Sequence, residues 1–121
     1  MSNPGHWGVE IYERPDGTSP VVEFIERQSK ANQAKIFAEL DDMAEFGTLA
    51  RGPKLKHLEG KLWELSFQGE NLSFRFVYFA HTGKKLVIVH GFCKKTQKTP
   101  RRELEVARRR LFDYLDRHSR N

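Results

Sequence analysis

Between Leu62 and Phe92 the chain passes three times through runs rich in Phe, Val, Ile and Tyr: Leu62–Gln68, Leu72–Ala80 and Lys85–Phe92. Only Gly69-Glu70-Asn71 and His81-Thr82-Gly83-Lys84 separate them. Connections this short return a strand antiparallel, because a parallel neighbour needs a crossover of about a dozen residues or more. A three-stranded meander is therefore the least negotiable element of the fold.

The flanks supply the remaining elements. His6–Glu13 alternates and reads as a first strand, stopped by the turn Arg14-Pro15-Asp16-Gly17. Ser19-Pro20 opens a helix, with Ser19 as cap and Val21, Phe24, Ile25 and Gln28 on one face. A second helix is expected over Ala31–Phe46, with Ile36, Phe37, Leu40, Met43 and Ala44 inward and Gly47 as its stop. The short joint near Ser29–Asn32 makes the two an α-hairpin. Arg51–Lys61 reads as a basic loop broken by Gly52-Pro53. Thr99-Pro100 repeats the Ser19-Pro20 signal and opens a last helix with the stripe Leu104, Ala107, Leu111, Tyr114 and Leu115. The expected architecture is α+β, in the order β-αα-βββ-α. It has a mostly antiparallel four-stranded sheet, an N-terminal α-hairpin and a C-terminal helix.

A length of 121 residues fits a single domain, 1–121, with disorder expected in the basic tail 116–121. An apolar fraction of 38% is enough for a core. No apolar run approaches the roughly 18 residues of a membrane span, and Met1–Gly8 lacks the pattern of a secretory leader. The lone Cys93 excludes an internal disulfide and a Cys-based zinc cluster, which suits a cytoplasmic setting. No metal or other cofactor is expected, since no His pair has helical ligand spacing with a matching carboxylate.

Hairpin register decides which side chains meet. With Gly69-Glu70 at a two-residue turn, Glu64 faces Arg75. With Thr82-Gly83 at the next, Arg75 faces His90. One face then collects Trp63, Leu65, Phe67, Phe74, Phe76, Tyr78, Val87 and Val89 as core. The other, open face holds Glu64, Ser66, Ser73, Arg75 and His90, with Val77, Phe79, Ile88 and Phe92 nearby. A β-bulge would alter this arithmetic. Two readings of the polar row stand: a cross-strand ion pair that shields the sheet, or a phosphate-binding Arg beside a proton carrier.

Charge is divided along the chain. Residues 1–50 carry four basic and nine acidic side chains, whereas residues 51–121 carry 17 basic and seven acidic. The acidic groups fall on the outer faces of the α-hairpin, at Glu23, Glu26, Glu39, Asp41, Asp42 and Glu45. The basic part suggests a polyanion partner, nucleic acid before anionic lipid.

Its densest stretch runs from His90 to Pro100 and places Lys94, Lys95 and Lys98 among Thr96, Gln97 and Thr99, with Arg101 and Arg102 just beyond. Lysines, hydroxyls and helix-start N–H groups are what a phosphate needs. The P-loop pattern is absent, which argues against nucleotide triphosphate hydrolysis. Lys54, Lys56 and His57 precede the sheet as a second basic segment. Arg108-Arg109-Arg110 reads as a solvated face, and Cys93, whose positive neighbours could lower its pKa, reads as a bystander.

Leu62-Trp63-Glu64-Leu65, Phe74-Arg75-Phe76-Val77-Tyr78-Phe79 and His90-Gly91-Phe92-x-Lys94-Lys95-Thr96-Gln97-Lys98-Thr99-Pro100 together resemble the phage-derived, HigB-like branch of the RelE/ParE toxin superfamily. The resemblance spans Trp7 to Leu115. It implies the toxin of a type II toxin–antitoxin pair, which binds the ribosome and cuts mRNA there without a metal. A helix-turn-helix antitoxin would neutralise it. By residue, the family's middle-strand Arg matches Arg75, and its basic residues after the last strand match Lys94 and Lys95. Its basic loop matches Lys54 and Lys56 loosely. Ser66 stands where many relatives carry Arg. The expected catalytic set is Arg75, Lys95, Lys94, Glu64 and His90. Lys54, Lys56, His57, Lys98, Arg101 and Arg102 are expected to bind RNA. Two other functions fit the same basic surface: a ParE-like inhibitor of DNA gyrase that cuts no RNA, and a plain RNA-binding module.

Overall fold

The computed structural model describes residues 7–46, 55–95 and 98–119. Its elements are β1 (Gly8–Ile11), α1 (Pro20–Glu26), α2 (Lys30–Phe46), β2 (Leu55–Glu59), β3 (Leu62–Gln68), β4 (Ser73–His81), β5 (Lys85–Cys93) and α3 (Arg101–His118). Gly47, Lys54 and the His6 start of the expected first strand lie outside the described residues.

The meander forms as expected and is the centre of the sheet, whose order is β1-β5-β4-β3-β2. β1 joins β5 in parallel, and every other pairing is antiparallel. The sheet has five strands, not four. The segment expected to be a basic loop contains β2, which pairs along β3 with Leu55 opposite Leu65 and Lys56 opposite Glu64. A register break between His57 and Glu59 interrupts its alternation. An edge strand carrying Lys56 and His57 shows little of the period-two pattern that marks the others.

Ser19 caps α1 by accepting from the Val22 N–H at 3.2 Å. Val21 and Ile25 then bury against Ile36, Leu40 and Met43 of α2 and against Leu65, Phe74, Phe76, Tyr78, Leu86 and Ile88 of the sheet. Phe37 was placed inward by helical spacing, yet it is half exposed. Glu39, placed outward, is buried beside Lys35 at 3.1 Å. The buried stripe of α2 starts at Asn32, one step round the helix from the face chosen by apolar residues alone.

The opposite face is not open. Ala107, Leu111 and Tyr114 of α3 close over Tyr12, Leu62, Val77, Phe79, Val87, Val89 and Phe92. α3 runs to His118, so the expected tail begins in helix. Two register corrections accompany this. β3 and β4 are joined by four residues, Gly69–Leu72, so Arg75 lies opposite Ser66 and Glu64 opposite Val77. The shift is two residues, and both side chains keep their face. On β5 the register changes between Val77 and Tyr78, placing the consecutive residues Val89 and His90 on the α3 side. The β4–β5 turn itself holds three residues, Thr82–Lys84, rather than the expected two, with His81 opposite Lys85, so Val87 and Val89 pack under α3 and Ile88 packs under the α-hairpin, the reverse of the expected arrangement. Trp63 was also expected in the core, but it is 40% exposed and rests against the His57 ring. Among the described residues no helix is long and apolar enough to cross a membrane.

Candidate functional site

α3 leaves uncovered the end of its sheet face where β3 and β4 carry Ser66 and Arg75, with Glu64 buried beside them. Glu64 has no exposed surface. A buried carboxylate is tolerated only when it is paired and hydrogen-bonded. Here the Arg75 guanidinium donates from Nη1 to Oε1 at 2.8 Å, and the Thr99 hydroxyl donates to Oε2 at 2.7 Å. The side chain of Arg75 is 16% exposed. Its Nε is buried and has no hydrogen-bond partner among the described residues. A depression of about 150 Å³ lined by Ser66, Phe67, Ser73 and Arg75 opens beside it.

Two lysines share this field. Lys94 is 6% exposed, its backbone N–H bonded to the Ser73 carbonyl at 3.0 Å where β5 runs out along β4. Burial lowers its pKa, and the charges of Arg75 and Lys56 lower it further against the opposing pull of Glu64. Lys56 projects from the edge strand opposite Glu64 and is exposed. One buried carboxylate thus has three cations near it, of which Arg75 lines a shallow, solvent-facing hollow.

His90 sits elsewhere. The expected pairing with Arg75 is lost to a three-residue β4–β5 turn and the bulge together, so Arg75 faces Phe92, and Val77 stands between His90 and Glu64 in the sheet. His90 Nε2 lies 2.8 Å from Glu103 Oε1, and Nδ1 lies 3.1 Å from Arg110 Nη1. Arginine can only donate, so Nδ1 holds its lone pair and the Nε2 proton points at Glu103, which is the neutral imidazole. Burial depresses the His90 pKa, and Arg110 adds to the depression against Glu103. The ring also stacks on Phe92, 5.4 Å between centroids. Both ring nitrogens are engaged in bracing α3 against β5.

The outer residues vary. Lys95, Lys98, Arg101 and Arg102 are exposed around the start of α3. Arg101 approaches Glu105 at 3.7 Å and Arg102 approaches Glu103 at 3.8 Å, long contacts that leave both side chains in solvent. His57 Nε2 contacts the Gly60 carbonyl at 2.8 Å while its ring stays exposed. Of the expected arginine face only Arg109 is exposed. Arg108 forks onto Glu59 at 2.8 and 3.0 Å, and Arg110 also donates to the Val89 carbonyl at 2.9 Å. Burial raises the Cys93 thiol pKa rather than lowering it, consistent with an inert side chain.

Sequence reasoning missed Thr99. The dipeptide Thr99-Pro100 opens α3 as expected, yet Pro100 occupies the cap position and no side chain caps the helix. The hydroxyl serves Glu64 instead. The placement of Lys56 opposite Glu64 was also hidden, because it depends on the unrecognised strand.

A family model described as phage-derived protein Gp49-like (DUF891) matches residues 23–112, a span that contains Glu64, Arg75, Lys94 and Thr99. No curated protein matches the chain.

Proposed function

The chain belongs to the Gp49-like family of phage-derived proteins, and from that membership we propose that it is the toxin of a type II toxin–antitoxin pair, of the HigB-like branch. Its activity in this reading is endoribonucleolytic cleavage of mRNA on the ribosome, with no metal. The observation that carries the reading is the Glu64–Arg75 pair, fully buried on the carboxylate side, with Lys94 and Lys56 near it and an open hollow beside Arg75.

Metal-free RNA cleavage needs three things. The 2′-oxygen must stand in line with the scissile phosphorus, the charge growing on the phosphorane must be met, and protons must leave the 2′-hydroxyl and reach the departing 5′-oxygen. The 2′-oxygen bonds to phosphorus as the P–O5′ bond breaks. Arg75 and the exposed Lys95 meet the phosphate charge. Lys94 suits proton transfer, because a buried ammonium with a lowered pKa gives up its proton more readily than a solvated one. Glu64 and His90, expected at first as proton carriers, hold hydrogen bonds on both oxygens and on both ring nitrogens. Neither is placed to exchange a proton with substrate. Lys56, Lys98, Arg101 and Arg102 extend a field suited to ribosomal RNA, and Lys54 and His57 belong to the same basic segment. A helix-turn-helix antitoxin would hold the activity in check.

Inducing the chain in bacteria tests this directly. Growth arrest with cleaved transcripts and intact DNA is expected. Broken DNA with intact transcripts would instead indicate gyrase inhibition. No arrest and no cleavage would leave a nucleic-acid-binding module.

A further inference from the structure

We propose that Thr99 is a positioning residue of the anion site, acting through Glu64 to hold Arg75 and Lys94 in their working arrangement. The proposal deepens the reading of Arg75 and Lys94 as the phosphate-facing cations and rests on it.

Three observations converge on the hydroxyl. First, the Glu64 carboxylate is fully buried, with one donor on each oxygen: Arg75 on Oε1 and Thr99 on Oε2. Second, the donors come from different elements on the same side of the sheet. Arg75 belongs to the central strand β4, whereas Thr99 ends the segment that carries Lys94, Lys95 and Lys98 and starts α3. The carboxylate therefore staples the basic segment to the sheet across 35 residues of sequence. Third, a local preference is set aside to make this contact. Ser19 before Pro20 caps α1 with its own side chain, whereas Pro100 stands at the cap position of α3 and no side-chain cap bond is made. A helix start that forgoes its customary cap, in favour of a buried carboxylate, marks a position where another demand outweighs local stability.

The consequence is electrostatic as well as mechanical. Glu64 already interacts with Lys94 through space. With Thr99 in place, the carboxylate accepts from one hydroxyl and one guanidinium nitrogen. Without the hydroxyl, Oε2 loses that donor, the carboxylate is free to shift, and the guanidinium of Arg75 loses its fixed seat.

The test compares Thr99→Val, which keeps shape and removes the hydroxyl, with Thr99→Ser, which keeps the hydroxyl. Both are measured by mRNA cleavage in a translating extract and by the guanidinium nitrogen resonances of Arg75, assigned with Arg75→Lys. Thr99→Val is expected to slow cleavage by about tenfold to a hundredfold, the range for displaced catalytic groups, and to broaden the Arg75 signals. Thr99→Ser is expected to restore both. Wild-type cleavage by Thr99→Val, or equal loss in Thr99→Val and Thr99→Ser, overturns the proposal. Thr99→Ala removes the same hydroxyl and replaces Thr99→Val if that variant unfolds. If the wild-type protein itself cuts no mRNA, the nuclease reading fails separately. The Arg75 resonances then decide alone: unchanged signals in Thr99→Val refute the positioning role, and selective broadening supports it.

Discussion

Gly91 and His90 show how single residues around the last strand are fixed. A Cβ at Gly91 would lie 2.6 Å from Phe76 Cε1, 2.9 Å from Cδ1 and 3.0 Å from Phe24 Cδ2. Glycine is needed there because two aromatic rings close against the backbone where α1 crosses β5. Gly91→Ala is expected to destabilise the fold by about 1–3 kcal/mol through overpacking, read as a lower urea midpoint with an unchanged slope. Its neighbour His90 is held neutral between Glu103 and Arg110, with its pKa below the ordinary value. As pH falls below about 6.5, the unfolded chain takes up that proton before the folded one does. Stability is thus complete above that pH and declines as pH drops toward the folded-state value. Thermal melts of His90→Gln between pH 5 and 8 should show a flatter acid limb than the parent. An identical slope would remove His90 from this role.

At the scale of elements, long-range clamps decide what local pattern leaves open. Asn32 near the start of α2 accepts from the Glu70 N–H at 2.6 Å and donates to the Glu70 carbonyl at 3.2 Å. It pins the β3–β4 connection as a four-residue loop with Asn71 at φ 64°. Asn32→Ala is expected to lower stability by about 0.5–1.5 kcal/mol for each of the two hydrogen bonds lost, the net range for bonds to a group that water can reach, measured by denaturant unfolding. Asn32→Asp, which keeps the acceptor, should lose less. The same example explains what the sequence could reveal. The meander was legible because Phe74-Arg75-Phe76 alternates a charge between rings, and α1 because Ser19 stands before Pro20. The bulge at Val89 was not. Val87-Ile88-Val89 is apolar throughout, since both faces of β5 are covered, and a uniform run carries no phase to betray an extra residue. β2 was hidden by the polar Lys56 and His57 of an edge strand. Thr99-Pro100 had the same local chemistry as Ser19-Pro20, and only the buried Glu64 redirected it. The site was legible in its membership more than in its contacts. Arg75, Lys94 and Glu64 stand together, but through a diagonal pair and an unforeseen hydroxyl.

Across the whole molecule, charge follows the layers. The α-hairpin carries much of the acidic excess of residues 1–50 on its outer surface, with Glu39 turned inward against Lys35. The far side of the sheet carries Lys56, Arg75 and Lys94, with a hollow beside Arg75, and the exposed Lys95 and first turn of α3 add further cations. α3 packs over that face and leaves the end bearing Ser66 and Arg75 accessible. An arrangement of this kind presents one cationic patch to a polyanion and turns its acidic surface away. The central claim is that this patch cuts mRNA through Arg75 and its lysine neighbours. Purified protein in a translating extract, with mRNA 5′ ends mapped over time, tests that claim most directly. Discrete new ends are expected from the wild type. Arg75→Ala combined with Lys95→Ala should lose them by at least about a hundredfold, the scale for removal of transition-state charge stabilisation. Undiminished cleavage by that double variant would contradict the assignment.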